Sequence, residues 1–313
     1  MSPAAIPPIP LARHDADFDG FAQALGASFE RFGFAVIEGH GLPQPLLDAA
    51  LADAKAFFAL PDAVKRRYLI AGGAGQRGYT PFRVETAKDA EHPDLKEFWH
   101  VGRDLPGGHP LRGLIAPNVW PAEVPGFRAS VGGLYAAMDA LGLKLLAGIA
   151  RRLGLAADVF VPAVRDGDSV LRLLHYPPVQ GTPPAVRAAA HEDINAITLL
   201  LGAEEAGLEL LDRDGRWLAI NPPPGSLVVN IGDMLQRATN HRLPSTTHRV
   251  VNPAPGRAGV SRYSMPFFLH FAPDYLIRTL PGCADQAHPD RYPEPITARA
   301  YLEQRLRELR LTA

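Results

Sequence analysis

Apolar residues recur along the chain with two periods, and the change from one to the other divides the sequence. From Phe18, the residues Phe21, Leu25 and Phe29 return every four positions, which places them on one face of a helix. The run "FGFAVIEGHG" then reads as a short buried strand closed by glycine, and a second helix is expected from about Pro45 to Ala59. Between "GAGQRGYTPFRVETAKDAEHPDLKEFWHVGRD" and "PNVWP" the pattern dissolves into glycine, proline and charge with aromatics interleaved. That texture predicts a long irregular loop of the kind that carries binding residues. Val131, Leu134, Met138, Leu141, Leu145 and Ile149 then make one long amphipathic helix, expected from Val124 to about Leu153.

After "RDG" the period shortens to two. "SVLRLLHYPP", "AITLLLG", "LELLDRDGRWLAI", "GSLVVNIGDML", "THRVVNP" and "RYSMPFFLHF" are short strand-like segments separated by Gly and Pro, the pattern of a sandwich or barrel. A helical C-terminus is expected from Ile296 to Leu311. No internal repeat is visible.

Composition narrows the function classes. In 313 residues, 47% are hydrophobic, enough for a sizeable core. Thirty-two Lys and Arg oppose thirty-three Asp and Glu with no dense basic run, so neither nucleic acid nor an anionic membrane is expected as a partner. Cys283 is the single cysteine, and the N-terminus has no basic start followed by an apolar core; both fit a cytoplasmic protein. Nothing in the pattern sets an oligomeric state.

The chemistry gathers in the second half. "AHEDINAITLLL" opens an apolar strand with His191, Glu192 and Asp193, three groups that are costly to bury without partners. In a strand His191 and Asp193 share a face, so an imidazole and a carboxylate can meet one metal. A third ligand is available in "NHRLPSTTHRVVNP": His248 lies in an alternating strand, whereas His241 sits in a turn where a solvated side chain is the simpler account. Two histidines and a carboxylate on one side of an octahedral ion leave positions open, the arrangement of non-haem Fe(II) oxygenases. A zinc hydrolase could use the same donors, but there is no H-E-x-x-H helix. In "VSRYSMPFF", Arg262 and Ser264 are again two apart; a planar guanidinium and a hydroxyl on one face suit a carboxylate.

With these residues in place the sequence resembles the Fe(II)- and 2-oxoglutarate-dependent dioxygenases of the isopenicillin N synthase-like family. The resemblance runs from "FGFAVIEGHG" and "FFALPDAVKRRY" through "HED", "THRV" and "RYS". It implies an α+β, mainly β fold: a double-stranded β-helix, or jelly roll, braced by N-terminal helices, one long central helix and a C-terminal helix. It implies that His191, Asp193 and His248 ligate Fe(II), that Arg262, Ser264 and Tyr176 hold the distal carboxylate of 2-oxoglutarate, and that O2 completes the cosubstrates. The expected organisation is one compact unit with an N-terminal mixed region and substrate loop at 1–120, a bracing helix at 121–165, a catalytic core at 166–280 and a helical extension at 281–313. Many plant members carry asparagine two residues before the tyrosine; this chain has Leu174 there.

The implied activity is oxidation of a small-molecule substrate with release of succinate and CO2. Two alternatives are kept: an iron oxidase of the same fold that omits 2-oxoglutarate or fragments it to ethylene, and a non-catalytic jelly-roll binding module. Tyr79, Phe82, Arg83, Phe98 and Trp99 of the long loop are candidate substrate contacts, with pinning of the loop as the alternative for its aromatics. Arg172, co-facial with Leu174 and Tyr176, is a candidate partner for an acidic substrate. One of Phe267 and Phe268 should face the barrel interior, either lining the substrate pocket or filling core; Phe268 is the candidate. Asn195 is read either as support for the metal carboxylate or as a strand-edge cap. Trp217 and His175 are read as structural. His270 is set aside, because Pro266 is expected to break the alternation.

Overall fold

The computed structural model describes residues 6–71, 75–86, 91–178, 185–201, 207–253, 256 and 259–308. Helix α1 (Phe18–Phe32) starts where the Asp17 carboxylate accepts the Gly20 N–H at 3.0 Å, and it stops at Gly33, whose φ of 68° lies in the left-handed region. A side chain at Gly33 would also strike the Pro244 carbonyl. Helix α2 is Gln44–Phe58 and helix α3 is Phe127–Arg152. Helix α3 is long and apolar enough to cross a membrane by length and composition alone. Here Val131, Leu134, Met138, Leu145 and Ile149 are fully buried, and the helix packs against α1, α2 and the main sheet.

Among the described residues that sheet has nine strands. Strand β1 (Pro8–Pro10) pairs in parallel with β2 (Phe34–Glu38). Antiparallel pairing continues from β2 to β10 (Leu227–Ile231), β7 (Ile197–Leu201), β13 (Pro266–Leu269), β5 (Val170–Tyr176), β4 (Glu97–Gly102) and β3 (Gly78–Thr80), with β12 (Arg262–Ser264) also on β5. A smaller sheet runs in the order β6 (Ala188–His191), β11 (His248–Val250), β8 (Leu208–Leu211) and β9 (Trp217–Ala219). This is the expected α+β jelly roll, with helices on the outer face of the larger sheet.

The period of two explains the layering. Leu171 and Leu173, Ile197 and Leu199, Leu227 and Val229, and Phe267 and Leu269 join the core under the helices. Their alternates point between the sheets. At one end these are apolar, where Phe34, Val228, Leu208, Leu210 and Val250 pack together. At the other end they are the polar residues of the site.

Several expectations change. The predicted irregular loop contains β3 and β4, which extend the main sheet; its residues 73–74 and 87–90 lie outside the described residues. "DML" begins a helix, α4 (Asp233–Ala238), and the C-terminal helix α5 is Ala298–Glu308, with 309–311 outside the described residues. Strand β6 ends at His191, and Asp193 lies in the connection that follows, so the two do not meet through strand alternation.

Candidate active site

His191 and His248 are brought together by register: they are directly paired across β6 and β11. Asp193 is held by the turn after β6. Its carbonyl accepts the Asp233 N–H at 2.7 Å, and Gly232, where an added Cβ would lie 2.2 Å from the Asn195 carbonyl oxygen, lets the start of α4 approach that turn. One ligand atom from each of His191, Asp193 and His248 falls within 4.8 Å of the others.

The hydrogen bonds around these atoms orient them for a cation. The His191 Nδ1–H donates to the Ala189 carbonyl at 2.7 Å and the His248 Nδ1–H to the Thr246 carbonyl at 3.1 Å, which leaves both Nε2 lone pairs facing inward. The Asp193 Oδ2 accepts from Thr198 Oγ1 and from Asn230 Nδ2, the latter at 2.8 Å, while Oδ1 faces the two Nε2 atoms at 3.8 and 3.9 Å. Burial raises the Asp193 carboxyl, but His248, His191, Asn230 and Thr198 outweigh it and hold it below its ordinary value. Burial, with His248 beside it, pushes His191 down to about 4, so its ring is neutral with a lone pair available. Three converging lone pairs with their outer atoms already bonded fit a divalent ion with open positions.

Two cavities meet at this cluster. The smaller, about 60 Å³, is lined by Tyr176, Arg262, Ser264, Asn230, Leu174 and the three candidate ligands. Arg262 and Ser264 lie opposite Tyr176 and Leu174 across the β12–β5 ladder, and Arg262 donates a hydrogen bond to Tyr176 with its guanidinium carbon 5.0 Å from the ring centroid. The larger cavity, about 950 Å³, has His191 and Asp193 at one end.

Of the substrate candidates, Phe98, Phe268 and Arg172 line the larger cavity, and Arg172 stacks its guanidinium 4.2 Å from the Phe98 centroid and 5.3 Å from that of Phe268. Tyr79, Phe82 and Arg83 do not line it. Tyr79 points to the opposite side of the sheet, buried in the helix-side core with its hydroxyl on Glu97, because residues 78–80 are strand and alternation sends it there. Phe82 is 41% exposed on the turn beyond that strand, where Arg83 has a positive φ. Trp99 is fully buried on the same side as Tyr79. His175 is structural as expected: its Nδ1 bonds Glu97 at 2.7 Å and its ring stacks on Tyr263. Trp217 lies under the Arg249 guanidinium at 3.9 Å. His241 is half-buried and bonded to Tyr292 at 2.6 Å, where a solvated turn was expected. Asn195 acts at one remove, donating to Thr198, which in turn donates to Asp193.

His270 is the main reversal. Alternation survives Pro266, so Arg262, Ser264, Pro266, Phe268 and His270 all face the cavities. Burial lowers the His270 imidazole to about 4, and it faces the larger cavity as a neutral ring. Sequence reasoning also missed Lys96, Glu85 and His100. Lys96, on both cavities, binds Asp94 at 2.8 Å and Glu85 at 3.2 Å; Glu85 also pairs with Arg172 at 3.2 Å. The Arg172 Nε donates to His100 Nε2 at 2.5 Å. Burial and then Arg172 push His100 well down, so it accepts as a neutral ring. Lys96 and His100 share even spacing with Phe98, a signal visible once that segment is known to be a strand; Glu85 carries no comparable signal.

Comparison with known proteins decides what this arrangement is. Residues 6–123 match the family described as non-haem dioxygenase in morphine synthesis N-terminal, and residues 167–271 match the 2OG-Fe(II) oxygenase superfamily. The chain belongs to the 2-oxoglutarate- and Fe(II)-dependent oxygenases. A 2-oxoglutarate-Fe(II) type oxidoreductase, hxnY, of Emericella nidulans is 36% identical over 95% of this chain and 88% of its own length. A crystal structure of a 2OG-Fe(II) oxygenase family protein from Caulobacter crescentus is 61% identical, covers 98% of this chain and 99% of its own, and superposes with a TM-score of 0.92. A full-length Neurospora crassa protein crystallised in complex with alpha-KG is 30% identical over 96% of this chain and 95% of its own, with a TM-score of 0.85. This oxygenase therefore uses Fe(II), 2-oxoglutarate and O2 to oxidise a small molecule. The same comparisons favour that reading over an iron oxidase working without 2-oxoglutarate and over a non-catalytic module.

Proposed function

We propose that His191, Asp193 and His248 hold the ferrous ion, that Arg262, Ser264 and Tyr176 hold the distal carboxylate of 2-oxoglutarate in the smaller cavity, and that the substrate enters the larger one. The observation that carries this reading is how the two cavities share their lining: His191 and Asp193 line both, His248 and Arg262 line only the smaller, Phe98 lines only the larger, and Arg172 and Phe268, stacked with Phe98, line both. When bound, the iron and its cosubstrate supply oxidising power by converting 2-oxoglutarate and O2 to succinate and CO2 as the substrate is oxidised. The chain's own work is to orient three lone pairs, neutralise a diacid and set a substrate against the open side of the metal.

The cations of the larger cavity already have carboxylate partners: Arg172 and Lys96 pair with Glu85 and Asp94, Arg305 pairs with Asp233, and His100 and His270 are neutral. We read the substrate as a small molecule without large net charge, one polar edge meeting Arg172 and Glu85 and a flat or apolar body against Phe98 and Phe268. The Neurospora crassa protein has also been crystallised with thymine, a flat polar ring, and a 35% identical relative is a proline hydroxylase of Petromyces alliaceus; both kinds of molecule are of that class. The near-zero formal charge supports a diffusible substrate over a nucleic-acid or membrane partner, and the single cysteine fits the cytoplasmic location we propose. The test is a panel of heterocycles and amino acids scored by stimulated succinate release, with Arg172→Met in parallel. The reading predicts a stimulating compound whose KM rises at least tenfold in the variant; stimulation unaffected by Arg172→Met would refute the assignment of that residue.

A further inference from the structure

Arg187, one residue ahead of β6, is 0% exposed. One of its nitrogens, Nη2, donates to the Val260 carbonyl at 3.2 Å, but Nε and Nη1 are buried with no hydrogen-bond partner among the described residues. Leaving charged donors dry and unbonded is among the costlier things a fold does, and a buried guanidinium ordinarily has an anion beside it. The neighbours it has are of the wrong kind: its guanidinium carbon lies 5.9 Å from the centroid of Tyr176, the same ring that Arg262 faces at 5.0 Å. Burial and then the Arg262 charge both act against its protonated form. Two interior cations gathered around one phenol ring make a field that an incoming anion satisfies.

We propose that Arg187 is a positioning residue for the keto-acid cosubstrate: standing behind Tyr176 and Arg262, it adds a second positive charge to the distal-carboxylate end of the smaller cavity and makes the site select a dicarboxylate over a monocarboxylate 2-oxo acid. The inference rests on the assignment of Arg262, Ser264 and Tyr176 to that carboxylate. Arg187 does not line the cavity, so it acts through its field and through the placement of Tyr176.

The experiment is calorimetric titration of the Mn(II)-loaded enzyme, without oxygen, using 2-oxoglutarate and 2-oxopentanoate, the five-carbon keto acid that lacks the far carboxylate. Arg187→Met should weaken 2-oxoglutarate binding about tenfold, equivalent to about 1.4 kcal/mol, and leave 2-oxopentanoate and Mn(II) affinities within twofold of the parent. Arg187→Lys, which keeps the charge, should recover most of the loss. If Arg187→Met does not fold, Arg187→Gln, which can still reach the Val260 carbonyl, is read by the same criteria. Equal losses for both keto acids would mean a structural role and overturn the proposal, as would 2-oxoglutarate affinity within twofold of the parent. Arg262→Met serves as control: if it too binds 2-oxoglutarate normally, the carboxylate assignment itself fails, whereas a loss there with none at position 187 defeats only the inference about Arg187.

Discussion

Asn230 carries one of the two donors that hold the outer oxygen of Asp193, and replacing it by leucine, which has the same branched shape but is bulkier, removes that donor without opening a cavity. A hydrogen bond to a charged group is worth about 1.5–3 kcal/mol, and Asp193 would keep only the Thr198 hydroxyl on that oxygen. The carboxylate is then free to rotate Oδ1 out of line with the two Nε2 atoms, and one of the interactions holding its pKa down is lost. Removing such a support should weaken divalent metal binding about 10- to 100-fold, or about 1.4–2.7 kcal/mol. Mn(II) titration of the metal-free protein measures this, with thermal melting as a check on folding. Because the proton competes with the metal on a less acid-stabilised carboxyl, the deficit of Asn230→Leu should shrink as pH rises. A folded variant that binds Mn(II) within twofold of the parent would show that the hydrogen bonds around Asp193 do not set its alignment.

Glu97→Leu strips the shared carboxylate from the Lys65 ammonium and from His175 and Tyr79, all on the buried side of β4; it should cost about 3–5 kcal/mol in denaturant unfolding, and a loss under 1 kcal/mol would refute the importance of that cluster. Burial pushes the Asp233 carboxyl up to about 6 despite the Arg305 guanidinium at 3.0 Å. Its folded pKa thus exceeds its unfolded value, so the native state is favoured by protonation. The protein should lose about 3 kcal/mol as pH rises from about 4 to about 6, and Asp233→Asn should flatten that part of the stability curve. Gly232→Ala would drive its Cβ into the Asn195 carbonyl; about 1–3 kcal/mol of destabilisation together with weaker Mn(II) binding is expected, and a variant normal in both would show that the turn carrying Asp193 yields freely.

Much of the site is legible in the chain because its parts obey local rules. A strand repeats every second residue, so Arg262 and Ser264 had to be co-facial, and Tyr176 had to share a face with Arg172 whatever they packed against. The same alternation runs through Pro266 to His270, because Pro266 sits at the first position of its strand, where the missing N–H is tolerated and does not break the pattern as expected from proline alone. Where no period is visible the reading failed. Residues 97–102 are buried on both faces, so "EFWHVG" shows no alternation of polar and apolar residues, and the glycines and charges around it masked a strand of the main sheet.

The amino-acid order by itself determined the helices, most of the strands and which side chains could act as ligands, since each depends on spacing within a few residues. Only the folded chain decided that His191 and Asp193 meet through a turn beyond the end of a strand, that Thr198 and Asn230 grip the carboxylate, and that Arg187 lies behind Tyr176. Those are contacts between residues distant in sequence or placed by a turn, and they depend on strand register and on the close approach at Gly232, which no local periodicity encodes.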